Sequence, residues 1–162
     1  MVRDAASTEV AAACALWSRA EAARTGNVAD AAEARDLAAA MTAAVAKPGA
    51  RLLIGILGGE VVAAVYGVPL RSDPTTAQVA MLAVEPKRWG GGIGTQLLEA
   101  LTVALKQQGC IQLRMNVDPG NHRARALYER HGWRHLGETE RVAPAADPEL
   151  VYRCTMVRHD GH

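Results

Sequence analysis

Glycines crowd a short loop near the middle of the chain, directly before a long apolar-periodic segment. Gly90, Gly91 and Gly92 are consecutive, and Gly94 follows two residues later. Glycine in a helix interior costs about 0.5–1 kcal/mol relative to alanine, so such a cluster beside a helix start indicates close backbone approach. A helix N-terminus carries unpaired N–H groups and the positive end of the macrodipole. The loop therefore predicts a cradle for phosphate oxygens, with a glycine-rich turn that binds nothing as the alternative.

Two common phosphate-binding motifs do not fit this loop. A P-loop needs Lys and then Ser or Thr after its last glycine, whereas Thr95 and Gln96 follow Gly94. A dinucleotide-binding loop needs a third glycine where Thr95 stands, and it belongs near the start of its domain. The chemistry of both classes is therefore excluded for this stretch.

A phenol lies on the next predicted helix, residues 121–131, which Gly132 ends. Tyr128 shares a helical face with Ala124 and Leu127, a pattern that also suits a core tyrosine whose hydroxyl reaches the surface. Asn121 follows the turn Asp118-Pro-Gly and is well placed to cap the helix.

Two motifs at a fixed distance give these residues a shared context. The first matches V-x-P-x-x-[QR]-G-x-G-[IV]-G at Val84, Pro86, Gly90, Gly92, Ile93 and Gly94. The second matches N-x-x-A-x-x-L-Y-x-x-x-G-[FW] at Asn121, Ala124, Leu127, Tyr128, Gly132 and Trp133. Over residues 76–136 the sequence thus closely resembles the GNAT superfamily of N-acetyltransferases. It departs from the family pattern at Trp89, where Gln or Arg is usual.

The resemblance implies a fold, a cosubstrate and an activity. The fold is an α/β (α+β) mixed sheet in the order β-α-α-β-β-β-α-β-α-β-β, splayed between its fourth and fifth strands. Acetyl-CoA is the implied cosubstrate, with no metal, and the acetyl group passes directly to a primary amine of a small molecule or protein in a ternary complex. A non-catalytic acyl-CoA-binding regulatory domain and a transferase for another acyl group are the alternatives. A homodimer is common among such proteins.

The same resemblance assigns roles to residues of this sequence. Tyr128 is implied as the general acid for the departing thiolate, because a phenol with a pKa of about 10 has comparable basicity. Backbone groups of Leu82 and Val84 are implied to pair with the pantetheine arm. The implied cofactor-binding residues are Leu82, Ala83, Val84, Gly90, Gly91, Gly92, Ile93, Gly94, Thr95, Asn121 and Tyr128.

Neither the general base nor the acceptor pocket is fixed by the sequence. Many relatives carry a glutamate on the strand before the glycine loop, but "TAQVAMLAV" contains no acid. The options for the base are a water relay to solvent, Glu60, Glu138 or His135. In the family the first two helices border the acceptor. Their acidic residues here have two interpretations: they attract a cationic amine, or they are ordinary solvent-facing charges. These residues are Glu21, Asp30, Glu33 and Asp36. Trp17 is expected in the core or in that pocket.

The elements that position these residues follow from periodicity. Apolar spacing predicts helices over 8–24, capped by Ser7 or Thr8, over 29–46 and after the glycine loop. Two apolar runs around Gly58 and Gly59 predict a hairpin. The remaining predicted strands cover residues 2–5, 76–84, 111–117, 133–142 and 149–157.

Size and composition bound the remaining choices. A chain of 162 residues predicts one domain, 1–162, and a net charge of +1 gives no pull toward nucleic acid or an anionic membrane. Cys14, Cys110 and Cys154 lie far apart without a CxxC pair, which is typical of buried thiols in a reducing compartment. Because the sequence shows neither the apolar core of a signal peptide nor a membrane-spanning run, we expect a cytoplasmic protein without membrane or nucleic-acid partners.

Overall fold

The computed structural model describes residues 1–141, 144 and 146–156. Within these residues, seven strands and four α-helices follow one another in the predicted order. The strands are β1 (Val2–Asp4), β2 (Arg51–Leu57), β3 (Glu60–Pro69), β4 (Thr76–Val84), β5 (Gln112–Val117), β6 (Arg134–Glu140) and β7 (Glu149–Thr155). The helices are α1 (Val10–Thr25), α2 (Ala31–Val45), α3 (Ile93–Gln107) and α4 (His122–Arg130). None of the described helices is long and apolar enough to cross a membrane.

The strands form one mixed sheet in the order β1-β2-β3-β4-β5-β7-β6, and this confirms the predicted fold class. β4 and β5 run parallel, whereas every other neighbouring pair is antiparallel. Pairing between β4 and β5 extends only from Thr76↔Gln112 to Val79↔Met115. Because β4 continues to Val84 without β5 beside it, the predicted splay is present and opens a gap in the sheet.

Two hydrophobic clusters cover the two faces of the sheet. α3 packs on one face through Leu97, Leu101 and Leu105, which are fully buried. Its close approach depends on Gly67 of β3, where a Cβ atom would lie 3.1 Å from both Leu101 and Leu105. α1 and α2 pack on the opposite face with a second cluster. The packing of α3 fixes where its N-terminus, and hence the glycine loop, stands relative to β4.

The hairpin and most element bounds agree with the sequence predictions. Gly58 and Gly59 adopt φ of 58° and 79°, as a two-residue turn between β2 and β3 requires. Leu57 and Glu60 are paired across that turn. The ends predicted at residues 142 and 157 for the last two strands lie outside the described residues.

The predicted cap of the first helix is wrong. Ser7 and Thr8 lie inside a 3-10 turn, Ser7–Glu9, so neither can cap α1. The Glu9 carboxylate instead accepts the Ala6 N–H at 2.8 Å and is paired with Arg3 at 2.7 Å. The turn forms because the chain must reverse after β1, and an ion pair to that strand holds it. α2 has an ordinary capping box between Asp30 and Glu33.

Candidate active site

The glycine loop opens α3 in the geometry that an anion cradle requires. Gly90 and Gly92 adopt φ of 85° and 84°, which a residue with a Cβ atom adopts only under strain. Gly92 is the N-cap, and the first bond of the helix runs from the Gln96 N–H to its carbonyl at 3.1 Å. In the described part of the chain, the N–H groups of Ile93, Gly94 and Thr95 have no acceptor. They are the free donors of a helix N-terminus.

Gly91 differs from the other glycines of the loop. Its N–H donates to the Arg88 carbonyl at 3.2 Å and so closes the preceding turn. A Cβ atom on Gly91 would lie 3.2 Å from that same carbonyl oxygen. Gly91 therefore shapes the loop, and its N–H is already bonded before any ligand arrives.

A cavity of about 440 Å³ lies against the glycine loop, and we call it the loop cavity. Its cationic and titratable side chains are Arg88, Arg123, Arg130 and His131, and no carboxylate is among its described lining residues. The Thr95 hydroxyl lies 3.2 Å from the His131 Nε2 atom, at the start of α3. Backbone donors and guanidinium groups thus converge on one space, which suits an anion with several phosphate oxygens.

Trp89, the residue that departs from the family motif, makes two contacts beside the glycine loop. Its indole Nε1 donates to the Val84 carbonyl at 2.9 Å, and the Arg123 guanidinium lies 4.5 Å from the ring centroid. This cation–π contact joins the glycine loop to α4. The sequence offered no role for Trp89; in the structure it lines both the loop cavity and the next cavity, at the border between them.

The second cavity, about 360 Å³, lies along the open edge of β4, and we call it the middle cavity. Leu82, Ala83 and Val84 all line it. The Glu85 N–H points to β3, where it bonds the Val62 carbonyl at 2.8 Å. Because backbone polar groups alternate sides along a strand, those of Ala83 also point to β3, and those of Leu82 and Val84 point to the gap. The two residues predicted to offer backbone groups thus do face the open edge.

Tyr128 lines the middle cavity from α4 and is only 5% exposed. Its ring packs 5.8 Å from Trp133 and 6.1 Å from Tyr152. No described residue hydrogen-bonds its hydroxyl, yet no described side-chain polar atom is sealed away without a partner, so the hydroxyl reaches the cavity surface. Burial raises the pKa of Tyr128 far above its ordinary value of 10, which keeps the phenol protonated at neutral pH.

The neighbouring Tyr152 differs from Tyr128 in that its hydroxyl is hydrogen-bonded. Its hydroxyl donates to Glu129 at 2.7 Å and accepts from Arg125 at 3.2 Å, so its hydrogen-bonding capacity is used within the protein. Tyr128 has the free phenol, and Tyr152 supports its ring.

Asn121 sits where the middle cavity meets the third one. Its Oδ1 accepts the Ala124 N–H at 3.3 Å, and this confirms the predicted helix cap. In the described residues its side-chain amide has no acceptor of its own. Asn121 lines both cavities, which leaves the amide as a donor toward a ligand.

The third cavity, about 150 Å³, fills the gap between β4 and β5, and we call it the wedge cavity. It shares Leu82, Asn121 and Tyr128 with the middle cavity, which in turn shares Val84 and Trp89 with the loop cavity. The three spaces therefore form one continuous trough with Tyr128 at the junction of two of them. Trp17 is half-buried; it borders the wedge cavity and also packs against the core cluster under α1 and α2.

Acidic side chains line the wedge cavity. They are Glu21 of α1, Asp118 directly after β5 and Glu149 at the start of β7. Of the four helix acids singled out from the sequence, Glu21 lines the wedge cavity, whereas Asp30 and Glu33 form the cap of α2 and Asp36 is exposed. Sequence reasoning missed Glu149, since nothing in the alternation of the last strand marks its first residue as facing the site.

The bases considered from the sequence lie elsewhere. Glu60 is exposed at the β2–β3 hairpin. Glu138 is paired with Arg153 at 2.9 Å, which lowers the pKa of its carboxyl. The His135 Nε2 lies 3.0 Å from the Glu138 carbonyl, and its ring stacks on Tyr152. None of the three lines the trough.

Comparison with known proteins agrees with this geometry. Residues 13–133 match the model of the Acetyltransferase (GNAT) family. No curated protein sequence matches the chain significantly.

Solved structures share the fold at low sequence identity. The ribosomal-protein-S18-alanine N-acetyltransferase from Escherichia coli is 19% identical, with a TM-score of 0.74 over 100% of this chain and 98% of that chain. PaiA N-acetyltransferase from Thermoplasma acidophilum, solved in complex with coenzyme A, is 10% identical, with a TM-score of 0.74 over 96% and 98% of the two chains. Aminoglycoside 6'-acetyltransferase type Ii is 18% identical, with a TM-score of 0.74 over 98% and 99%. By its sequence match, the sheet split beside β4 and the glycine loop that opens α3, the chain belongs to the GNAT family of acetyltransferases.

Proposed function

We propose that the protein transfers an acetyl group from acetyl-CoA to a primary amine of a small molecule or protein, directly and in a ternary complex. The observation that carries this proposal is the continuous trough, with cationic groups and free N–H donors at one end and a free phenol at the junction with the wedge cavity. The length and polarity of this trough suit a long thioester that has phosphates at one end.

The loop cavity holds the pyrophosphate. The free N–H groups of Ile93, Gly94 and Thr95 donate to its oxygens, and Arg88 and Arg130 balance its charge. Acetyl-CoA brings an acyl thioester, whose carbonyl carbon is the electrophile.

The open edge of β4 aligns the pantetheine arm and the thioester. Leu82 offers its N–H and C=O groups and Val84 its N–H to the arm's amides, in the manner of an added strand, because the Val84 carbonyl already accepts the Trp89 indole N–H. An N–H at this edge stabilises the charge that develops on the thioester oxygen, and a single oxyanion donor contributes about 2.7–4 kcal/mol in enzymes where it has been removed.

Tyr128 supplies the proton for the departing thiolate. Its hydroxyl has no partner in the described protein, so the proton is not held by another side chain. Burial raises the pKa of the phenol, so Tyr128 carries its proton at neutral pH.

Thermal unfolding with saturating acetyl-CoA tests the binding part of the proposal, with ATP and NAD as controls. A ligand at 100 times its Kd stabilises the fold by about 2.7 kcal/mol, which for this size raises Tm by several degrees. We expect a shift with acetyl-CoA that neither control matches. An unchanged Tm would overturn the assignment of the loop cavity.

Release of free thiol in the presence of amines tests the transfer. We expect release that depends on both acetyl-CoA and an amine. A protein that is stabilised by acetyl-CoA but releases no thiol with any amine would instead be an acyl-CoA-binding domain without turnover.

A further inference from the structure

The wedge cavity carries net negative charge on the side away from the glycine loop. Glu21, Asp118 and Glu149 contribute three negative charges and Arg24 one positive charge, which leaves −2. Arg24 is paired with Glu21 at 2.8 Å and with Asp118 at 3.3 Å. The carboxylates come from three separate elements, α1, the turn after β5 and the start of β7, so the fold itself brings them together.

A second, independent observation indicates that a ligand enters this cavity. Tyr128 is more than nine-tenths buried, its hydroxyl has no hydrogen-bond partner in the described residues, and its side chain lines the wedge cavity. A buried phenol normally finds a partner within its protein. The Tyr128 hydroxyl reaches the cavity surface instead, where it is open to a molecule that occupies the space between it and the carboxylates.

Glu149 differs from the other two acids of the cavity. Unlike those of Glu21 and Asp118, its carboxylate has no ion pair or hydrogen bond among the described residues. Burial raises the pKa of its carboxyl, and the nearby charges of Asp118, Glu140 and Glu21 raise the pKa further, whereas Arg24 lowers it. A carboxylate that is unpaired and more basic than usual is suited to accept a proton.

We propose that Glu149 is the general base of the reaction, and that the acceptor is an amine carrying a second positive charge, which Glu21 and Asp118 bind. This inference rests on the proposed function. It places the acid, Tyr128, and the base, Glu149, on the lining of one cavity.

The proton balance of the step is as follows. At neutral pH the acceptor is an ammonium ion, and Glu149 takes one of its protons to expose the nitrogen lone pair. The nitrogen then forms a bond to the acetyl carbonyl carbon while the carbon–sulfur bond breaks, and Tyr128 gives its proton to the leaving thiolate. The new amide nitrogen loses a second proton, the Tyr128 phenolate regains one, and Glu149 returns its proton to water. One proton is released for each acetyl group transferred.

The variant Glu149→Gln tests the base, with Glu60→Gln as the matched control at an exposed position outside the trough. Thiol release by the wild type should rise with pH as Glu149 ionises, above the ordinary glutamate range of about 4.3. At pH 7 we expect Glu149→Gln to lower kcat/KM at least about 100-fold and Glu60→Gln to leave it unchanged. The deficit should shrink toward pH 9, because an alkylamine with a pKa of about 10.4 then supplies more free base itself.

A purely structural role for Glu149 would not produce this recovery at high pH. The Tm shift caused by acetyl-CoA should be the same in Glu149→Gln as in the wild type. A variant with an equal Tm shift and kcat/KM within threefold of the wild type at pH 7 would overturn the assignment of the base, and so would a loss of rate that is independent of pH.

A pair of acceptors tests the second charge. Butylamine and 1,4-diaminobutane have the same carbon chain, and only the second presents a distal ammonium group. We expect kcat/KM at least 10-fold higher for 1,4-diaminobutane, with the difference largely abolished in Asp118→Asn. Equal rates for the two amines in the wild type would overturn the proposed acceptor class and leave the acetyl transfer intact. No thiol release with either amine, despite a Tm shift with acetyl-CoA, would refute the transfer itself for such acceptors.

Discussion

Tyr128 shows how a single side chain can be fixed in place and still be free to react. Its ring is held by Trp133 and Tyr152, whereas its hydroxyl bonds to nothing in the described protein. The ring therefore contributes to the core, the proposed reaction uses only the hydroxyl, and a substitution can separate the two contributions.

Replacing Tyr128 by Phe should lower kcat about 100-fold or more and leave stability nearly unchanged. The ring still fills its place, no hydrogen bond is lost, and the thiolate loses its proton donor. Thiol-release kinetics and thermal unfolding measure the two effects. Tyr152→Phe is the control with the opposite outcome, because it removes hydrogen bonds to Glu129 and Arg125 and should lower Tm. Equal kcat for Tyr128→Phe and the wild type would contradict the assigned acid.

At this scale the sequence predicted residues that act through the local backbone and missed those that depend on tertiary packing. The glycines and the Asn121 cap could be inferred because the motifs around them are contiguous. Glu149 and Trp89 could not, since their roles depend on β7 and α4 arriving from distant parts of the chain.

At the scale of elements, the start of α3 matters both for the stability of the fold and for the geometry of the site. Gly92 is left-handed as the N-cap, whereas Gly94 is inside the first turn with ordinary helical backbone. Nothing lies within 4 Å of a Cβ atom on Gly92, so any cost of a side chain there is conformational rather than steric.

Gly92→Ala should therefore destabilise the fold by about 1–2 kcal/mol, which corresponds to a fall in Tm of roughly 3–6 °C. It should also weaken acetyl-CoA binding, because relieving the strain turns the free N–H groups away. In Gly94→Ala the new Cβ would sit 3.4 Å from Val84 Cγ2, an ordinary contact, so its Tm should not fall. Thermal scans of the two variants side by side provide the measurement, and a larger loss in Gly94→Ala would refute this account of the loop.

The helices and strands were largely predictable, because the spacing of apolar residues along the sequence reflects which face of each element is buried. The exception at the first helix is instructive: Ser and Thr are good caps by type, but here the chain must bend back toward β1. The ion pair between Arg3 and Glu9 that holds this bend joins two segments whose contact the sequence does not reveal.

At the scale of the whole molecule, that ion pair makes stability depend on pH. The hydrogen bonds from Arg3 and then from the Ala6 N–H lower the pKa of Glu9 to about 2, against an ordinary 4.5. Because the folded pKa lies below the unfolded one, the contribution is fully present above about pH 4.5 and is lost as the pH falls toward 2. Hydrogen bonds from Thr75 and Thr76 lower the pKa of Asp73 as well and act with the same sign.

Thermal unfolding between pH 6 and pH 2 should thus show a steeper acid loss for the wild type than for Glu9→Gln. The two curves should approach each other toward pH 2, where Glu9 of the wild type begins to be protonated in the folded state as well. Parallel curves across the whole range would mean that Glu9 is not held by Arg3 in solution.

The split in the sheet has a consequence for how two ligands influence each other. β4 and β5 share a short ladder from Thr76 to Val79, so the angle between the two halves of the sheet sets the width of the gap beyond it. A molecule on the β4 edge and a molecule in the wedge cavity both depend on that one angle. If the first fixes the angle at the value the second requires, each raises the affinity of the other by the same factor. The coupling between the two ligands is then carried by the sheet, without any contact between the ligands themselves.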